Sequence, residues 1–143
     1  MSIEATAERA RTRDWAAIGL VAGAVILTLS TAYIHSTLGG LLFTMNAIGY
    51  TVLAAALVVP IPIADRYRWL IRLGLLGFVL ATIGGWVMFG ARYDMAYFSK
   101  AIEVVLIGFL VVSIFRMDGG PAGVVAGLRA LPGEISGLLR GRR

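Results

Sequence analysis

The chain has no cysteine and only one histidine. Without cysteine it forms no disulfide, no thiolate metal site, no cysteine-ligated iron–sulfur cluster and no c-type haem attachment. Charged side chains are also scarce, at 15% of residues against about 25% in a typical soluble domain. Catalytic motifs are missing too: there is no Walker loop, no Gly-Xaa-Ser-Xaa-Gly and no His-Glu-Xaa-Xaa-His. We therefore expect no enzymatic activity and predict no cofactor.

Apolar residues are abundant instead. They make up 59% of the 143 residues, and the mean hydropathy is +0.85. They fall into four blocks, each close to the roughly 20 residues that a helix needs to cross a bilayer. The pattern predicts an all-α integral membrane protein, a four-transmembrane-helix bundle with a C-terminal amphipathic surface tail. We expect a cytoplasmic lead-in over 1–15, a transmembrane domain over 16–116 and a cytoplasmic tail over 117–143. The four spans of the transmembrane domain are expected over 16–35, 41–59, 70–91 and 97–115.

The distribution of positive charge predicts the orientation. Eleven of the thirteen Lys and Arg residues lie in the lead-in, the middle loop and the tail, and only Arg92 and Lys100 lie on the other side. Because Lys and Arg are enriched in cytoplasmic loops, both termini are expected to face the cytoplasm. The membrane is then expected to be the cytoplasmic (inner) membrane of a prokaryote. The net charge of +5 then reflects topology, and we expect no nucleic-acid partner.

The tail changes character after the fourth span. Gly119-Gly120-Pro121 predicts a helix break, and apolar residues then recur at helical spacing among Arg129, Arg140, Arg142 and Arg143. Pro132-Gly133 predicts a division into two short amphipathic pieces on the membrane surface, held by apolar burial and by anionic lipid. A disordered basic tail is the alternative.

Small residues spaced four apart mark two helix faces for close packing. Gly19 and Gly23 lie on the first span, and Gly77, Ala81 and Gly85 lie on the third. In membranes this spacing lets two helix backbones approach closely. These faces predict contacts with neighbouring helices, including those of other membrane-protein subunits or of a second copy.

Polar residues within the spans gather toward the outer end under the predicted orientation. The candidate cluster consists of His35, Asn46, Arg92, Lys100 and Glu103. A carboxylate in a spanning helix is rare and usually faces the bundle or a cavity. Glu103 is therefore either a proton- or cation-binding carboxylate or half of a structural ion pair with Lys100 or Arg92. It could also simply reach the outer interface.

His35 and Asn46 each allow more than one interpretation. The imidazole could ligate a haem or a chlorophyll-type pigment, exchange a proton with Glu103, or cap a helix end at the interface. Asn46 could join helices through an amide hydrogen bond. With one histidine, no cysteine and one acidic residue deep in a span, we expect no self-sufficient metal centre.

Three functional classes remain. The first is a structural or accessory subunit of a larger membrane complex, such as a respiratory, photosynthetic or transport assembly. The second is a small homo-oligomeric transporter or channel, coupled to protons or cations through Glu103 with His35 and Asn46. The third, a membrane enzyme or cofactor binder with His35 as ligand, ranks last.

Overall fold

The computed structural model describes residues 14–140, and within that range the chain is helical with no strand. The predicted all-α class is therefore confirmed. The helices are α1 (Trp15–Thr37), α2 (Leu41–Val58), α3 (Pro62–Arg66), α4 (Arg68–Phe89), α5 (Asp94–Met117) and α6 (Gly120–Arg140). The predicted lead-in lies almost entirely outside the described residues, as do Arg142 and Arg143.

Four helices are long and apolar enough to cross a membrane: α1, α2, α4 and α5, with 18 to 24 residues each. Their bounds agree with the predicted spans to within three residues, the largest difference being that α5 begins at Asp94 rather than Tyr97. The agreement has a local cause, because turn chemistry ends each apolar run. Gly39 and Gly40, with φ of 71° and 86°, join α1 to α2 in a conformation that only glycine adopts without strain. Pro60 and Pro62 lie just beyond the end of α2, where neither can continue its ladder of hydrogen bonds.

The bundle has two unlike ends. We call the end where α1 joins α2 and α4 joins α5 the hairpin end, and the opposite end, which holds Arg66, Arg68, Arg72 and Arg116, the basic end. α1 packs along both α2 and α5, whereas α4 lies more loosely against α5 and α2. The apolar core includes Ala24, Ala32, Tyr50, Leu57, Leu75, Val79, Leu106 and Leu110. This arrangement places α1, α2, α4 and α5 around a common axis at the hairpin end.

The tail differs from its prediction in one respect. Gly119, with φ of 74°, separates α5 from α6 at the predicted break, and Gly120, with φ of 67°, is the first residue of α6. However, α6 continues through Pro132 as one helix instead of dividing at Pro132-Gly133. Proline removes one backbone donor there, but its fixed φ suits a helix. Both Pro132 and Leu128, whose carbonyl loses that donor, are exposed, so the unbonded carbonyl has access to solvent.

Candidate functional site

The candidate site centres on Glu103, whose side chain is completely buried on α5. Lys100 lies one turn earlier on the same helix, and its Nζ is 2.7 Å from both Glu103 Oε1 and Oε2. A carboxylate buried this deeply needs a partner, since an unpaired charge in the core is very costly. Lys100 supplies that partner while its own side chain stays 12% exposed toward the hairpin end.

Two hydroxyl groups extend the site to α4 and α2. Thr82 Oγ1 is 3.2 Å from Glu103 Oε2 and 2.8 Å from the carbonyl oxygen of Val79. Tyr50 OH is 2.8 Å from Thr82 Oγ1. Tyr50, Thr82 and Glu103 thus form a contiguous polar set, in which each side chain lies within hydrogen-bond distance of the next.

His35 brings α1 to the same point. Its Nδ1 is 2.9 Å from the carbonyl oxygen of Thr31, and its Nε2 is 4.0 Å from Glu103 Oε1. The ring lies 5.6 Å from the ring of Tyr50, centroid to centroid, and only 4% of the residue is exposed. All four helices that are long and apolar enough to cross a membrane therefore contribute a polar side chain to one buried cluster: His35, Tyr50, Thr82, Lys100 and Glu103.

Two predicted members of the cluster lie elsewhere. Asn46 is half-buried on α2 and makes no side-chain hydrogen bond to any described residue. Its neighbours Ala47 and Tyr50 face the core, which leaves Asn46 at the edge of the buried face. Arg92 places its guanidinium 4.2 Å from the centre of the Trp86 ring and donates to the Val87 carbonyl oxygen. The ion pair with Arg92 that the sequence allowed for Glu103 is absent from the described residues, and Lys100 takes that place.

The surroundings of His35 also bear on the haem or pigment hypothesis. An axial ligand presents one ring nitrogen to the cofactor. Nδ1 is engaged by Thr31, and Nε2 faces a carboxylate across the α1–α5 contact. A cofactor on Nε2 would have to enter this contact beside Glu103. Among residues 14–140, no three His, Cys, Asp or Glu side chains are grouped so as to hold a metal ion.

Sequence reasoning missed Tyr50 and Thr82 as members of the site. Nothing in the sequence showed which way the ring of Tyr50 points. Thr82 looks like an ordinary helix threonine, because its hydroxyl also lies near the carbonyl three residues earlier. Only the packing of α2, α4 and α5 brings these hydroxyls to Glu103.

The predicted packing residues divide into two groups. A methyl group added at Gly23 would lie 2.2 Å from Cε1 of Phe109, so the glycine lets α1 and α5 approach closely. By contrast, nothing lies within 4 Å of the corresponding position at Gly19, Gly77 or Gly85. Gly77, Ala81 and Gly85 are exposed along one side of α4, and we call this surface the small-residue face.

A second buried ion pair lies at the basic end. Arg72 on α4 donates to Asp118, which caps the end of α5, and their side chains are only 4% and 7% exposed. Arg68 donates to the carbonyl oxygens of Leu57, near the end of α2, and of Val59, which directly follows α2. Through Arg68 and Arg72, the first turns of α4 are held against the ends of α2 and α5.

The tail is attached to this end through Glu134. Its carboxylate accepts from Arg66 at 2.9 Å and from the hydroxyl of Tyr67 at 2.9 Å. The hydrogen bond from Arg66, assisted by that from Tyr67, holds the pKa of Glu134 below its ordinary value of 4.5. Gly127 passes close to the Trp69 ring. Arg129 is exposed, whereas the side chain of Arg140 is not described.

Comparison with known proteins adds no assignment. No family model, curated protein or solved structure matches the chain.

Proposed function

We propose that the chain is an integral membrane protein in which α1, α2, α4 and α5 cross a cytoplasmic membrane and both termini face the cytoplasm. The length and apolar composition of these helices support insertion. The gathering of positive charge at the basic end supports the orientation.

The cysteine-free sequence gives a direct test of this orientation. Ser36, near the hairpin end, and Ser136, on α6, are both exposed and differ from cysteine by one atom. A membrane-impermeant maleimide applied to intact cells is expected to label Ser36→Cys and to leave Ser136→Cys unlabelled until the cells are permeabilised. The reverse pattern would overturn the orientation, and labelling of both in intact cells would overturn insertion as four spans.

Within the membrane, we propose that the chain serves as a structural or accessory subunit of a larger membrane complex. The small-residue face of α4 carries this proposal. Gly77, Ala81 and Gly85 are exposed, and the described part of the chain leaves the space beside both glycines open. Lipid tails fill such a surface poorly, whereas a second helix gains close backbone contact there. A face of this kind favours a partner helix from another subunit.

A matched pair of substitutions tests the subunit proposal. Ala81 on the small-residue face and Ala55 on α2 are both exposed alanines within long helices. After tagging and purification in mild detergent, we expect a stoichiometric partner with the wild-type chain and with Ala55→Leu. We expect at least a tenfold loss of that partner with Ala81→Leu combined with Gly77→Leu. Retention of the partner by this variant, or recovery of the chain alone or with itself only, would contradict the proposal.

A second candidate is a homo-oligomeric transporter or channel coupled to protons or cations. One observation favours it: four helices direct polar side chains at a completely buried carboxylate with an imidazole 4.0 Å away. Ionisable groups in such positions often belong to ion or proton pathways. In this candidate His35 and Glu103 bind the transported proton or cation. Asn46 lies away from the cluster and is not expected to take part in binding.

Flux measurements separate this candidate from the first. In proteoliposomes with a trapped pH dye, the transporter candidate requires a proton flux that Glu103→Gln abolishes and Glu134→Gln retains. Absence of flux in the wild-type chain, or equal flux in the two variants, would remove it.

A further inference from the structure

The position of the hydrogen on neutral His35 follows from one contact. Nδ1 lies 2.9 Å from the carbonyl oxygen of Thr31. A carbonyl oxygen only accepts hydrogen bonds, so Nδ1 must be the donor and must carry the hydrogen. In a neutral imidazole the other nitrogen is then an acceptor. Neutral His35 therefore presents a bare lone pair at Nε2.

That lone pair meets a second acceptor. Nε2 is 4.0 Å from Glu103 Oε1, and an ionised carboxylate has no hydrogen to donate. The separation exceeds the 2.7–3.2 Å or so of a direct hydrogen bond. One additional proton would change this relationship, because a protonated His35 would donate from Nε2 to Glu103 in a charge-assisted hydrogen bond. The pair thus has a defined position for one proton.

Lys100 determines the cost of adding that proton. With Lys100 and Glu103 both ionised, the buried cluster is neutral, and protonating His35 would leave it with an uncompensated positive charge. The Lys100 ammonium sits at the end of a flexible four-carbon chain and is already partly exposed. Lys100 can therefore move toward the hairpin end when His35 becomes charged, and the net charge of the core stays at zero.

Two buried hydroxyls lie on the helices that carry this pair. Thr31 Oγ1, one turn from His35, and Ser99 Oγ, adjacent to Lys100, are buried without a hydrogen-bond partner among the described residues. Other helix hydroxyls in the bundle, such as those of Thr28 and Ser113, donate to the carbonyl four residues earlier. Buried polar groups without a partner are uncommon in native proteins. The two hydroxyls supply spare hydrogen-bonding capacity on α1 and α5, the helices that carry His35 and Glu103.

We infer that His35 and Glu103 form a single proton-exchange site between α1 and α5, in which a proton on His35 Nε2 replaces Lys100 as the cationic partner of Glu103. The other ionisable group that faces the site is Tyr50 of α2, whose hydroxyl is held by Thr82 of α4. This inference goes beyond the subunit role. It would provide the proton-binding step of the transporter candidate, but it depends on neither function.

The single histidine makes the test unambiguous. With ¹⁵N-labelled histidine, the full-length chain in lipid nanodiscs gives imidazole signals from His35 alone among the residues of the chain. At high pH we expect the tautomer with hydrogen on Nδ1, and at lower pH the doubly protonated ring. In Glu103→Gln we expect the midpoint of this change to move to lower pH by about one unit or more, a tenfold weaker proton affinity, because the attracting charge is gone. Glu134→Gln, a distant carboxylate variant, should leave the midpoint unchanged.

Lys100→Met provides an independent test. Without the competing ammonium, the midpoint of His35 protonation is expected to move to higher pH. The inference is overturned by hydrogen on Nε2 of the neutral wild-type ring, by a ring that does not titrate between about pH 4 and 9, or by equal midpoints in the wild-type and Glu103→Gln chains. The tautomer of the wild-type ring tests the inference even where a variant fails to fold. Because the isolated chain is observed, a missing partner or a missing flux has no influence on the outcome.

Discussion

Nε2 of His35 lies 4.0 Å from Oε1 of Glu103, across the contact between α1 and α5 and within a core that buries both side chains. The two residues come from helices separated by the whole of the second and third spans. Under the proton-exchange inference, protonation of His35 would add a hydrogen bond across this contact and so change how α1 packs on α5.

The Lys100–Glu103 pair is predicted to show strong non-additivity in stability. Lys100→Met alone should destabilise the chain by about 3–5 kcal/mol, because it leaves the completely buried carboxylate of Glu103 without its ammonium partner. Glu103→Leu with Lys100→Met should cost far less, since no unpaired charge remains. Unfolding in detergent would measure both variants. A double variant whose loss equals the sum of the losses in the two single variants would show that the pair does not act as a unit.

The Tyr50–Thr82 hydrogen bond is predicted to contribute a modest, measurable stabilisation. Tyr50→Phe should cost about 0.5–1.5 kcal/mol, in the range of interhelical hydrogen bonds in water and in membranes. The same change at the exposed Tyr33 should have almost no effect. A double-mutant cycle with Thr82→Val measures the coupling of the two hydroxyls. A coupling energy of zero would mean that this contact adds nothing to the fold.

Gly23 and Gly19 form a matched pair on α1. Gly23→Ala should destabilise the bundle by about 1–3 kcal/mol, because the new methyl group would overlap the Phe109 ring. Gly19→Ala meets open space within the described chain and should be neutral or stabilising by up to about 1 kcal/mol, through its higher helix propensity. Thermal unfolding compares the two. Phe109→Leu should recover part of the loss in Gly23→Ala, and absence of any recovery would locate the strain elsewhere.

Docking of α6 is predicted to depend on pH through Glu134. Its pKa is lowered by the hydrogen bond from Arg66, so the contact stabilises the docked tail above the ordinary value of 4.5 and is lost as the pH falls through the lowered value. Trp69, which contacts Gly127, reports on docking once Trp15 and Trp86 are replaced by Phe. We expect a red shift of its fluorescence with a midpoint below pH 4.5.

Two variants check the origin of that transition. Glu134→Gln should remove the pH dependence. Asp14→Asn should leave the pH dependence in place, because Asp14 contacts Arg116 and not the tail. The variant is a fair control, since the pKa of Asp14 is also lowered, chiefly by the backbone N–H of Ala17. A midpoint well above pH 4.5, or one that persists in Glu134→Gln, would assign the change to another group.

The sequence was a good guide where the cause of structure is local. The long helices follow from apolar runs bounded by glycine and proline, and the Lys100–Glu103 pair follows from a three-residue spacing on one helix. Counting residues from the end of each span also gave the depth of a side chain in the bundle, and this predicted His35 and Glu103 at the same end. None of these inferences required knowledge of how the helices are rotated about their axes.

The sequence did not specify how each helix is rotated about its own axis. Asn46 and Tyr50 lie one turn apart on α2, yet only Tyr50 reaches the cluster, because the buried face of α2 passes through Ala47, Tyr50, Ala54 and Leu57. Arg92 lies at a suitable depth but turns to the Trp86 ring. In the tail, the division at Pro132-Gly133 was predicted from helix propensity, and the continuous α6 shows that this local penalty did not decide the outcome.

The depth of Glu103 has an electrical consequence. It lies nine residues after the first residue of α5, which corresponds to about 14 Å along the helix axis. α5 has 24 residues and is about 36 Å long, so if it is centred in a hydrocarbon core about 30 Å thick, a proton arriving from the hairpin end would cross roughly a third of the transmembrane field to reach this level. A full crossing is worth about 2.3 kcal/mol per 100 mV, so a third of it is worth about 0.8 kcal/mol. The occupancy of the site would then follow voltage as well as proton concentration, and polarising the membrane would shift the midpoint of His35 with no change in either solution.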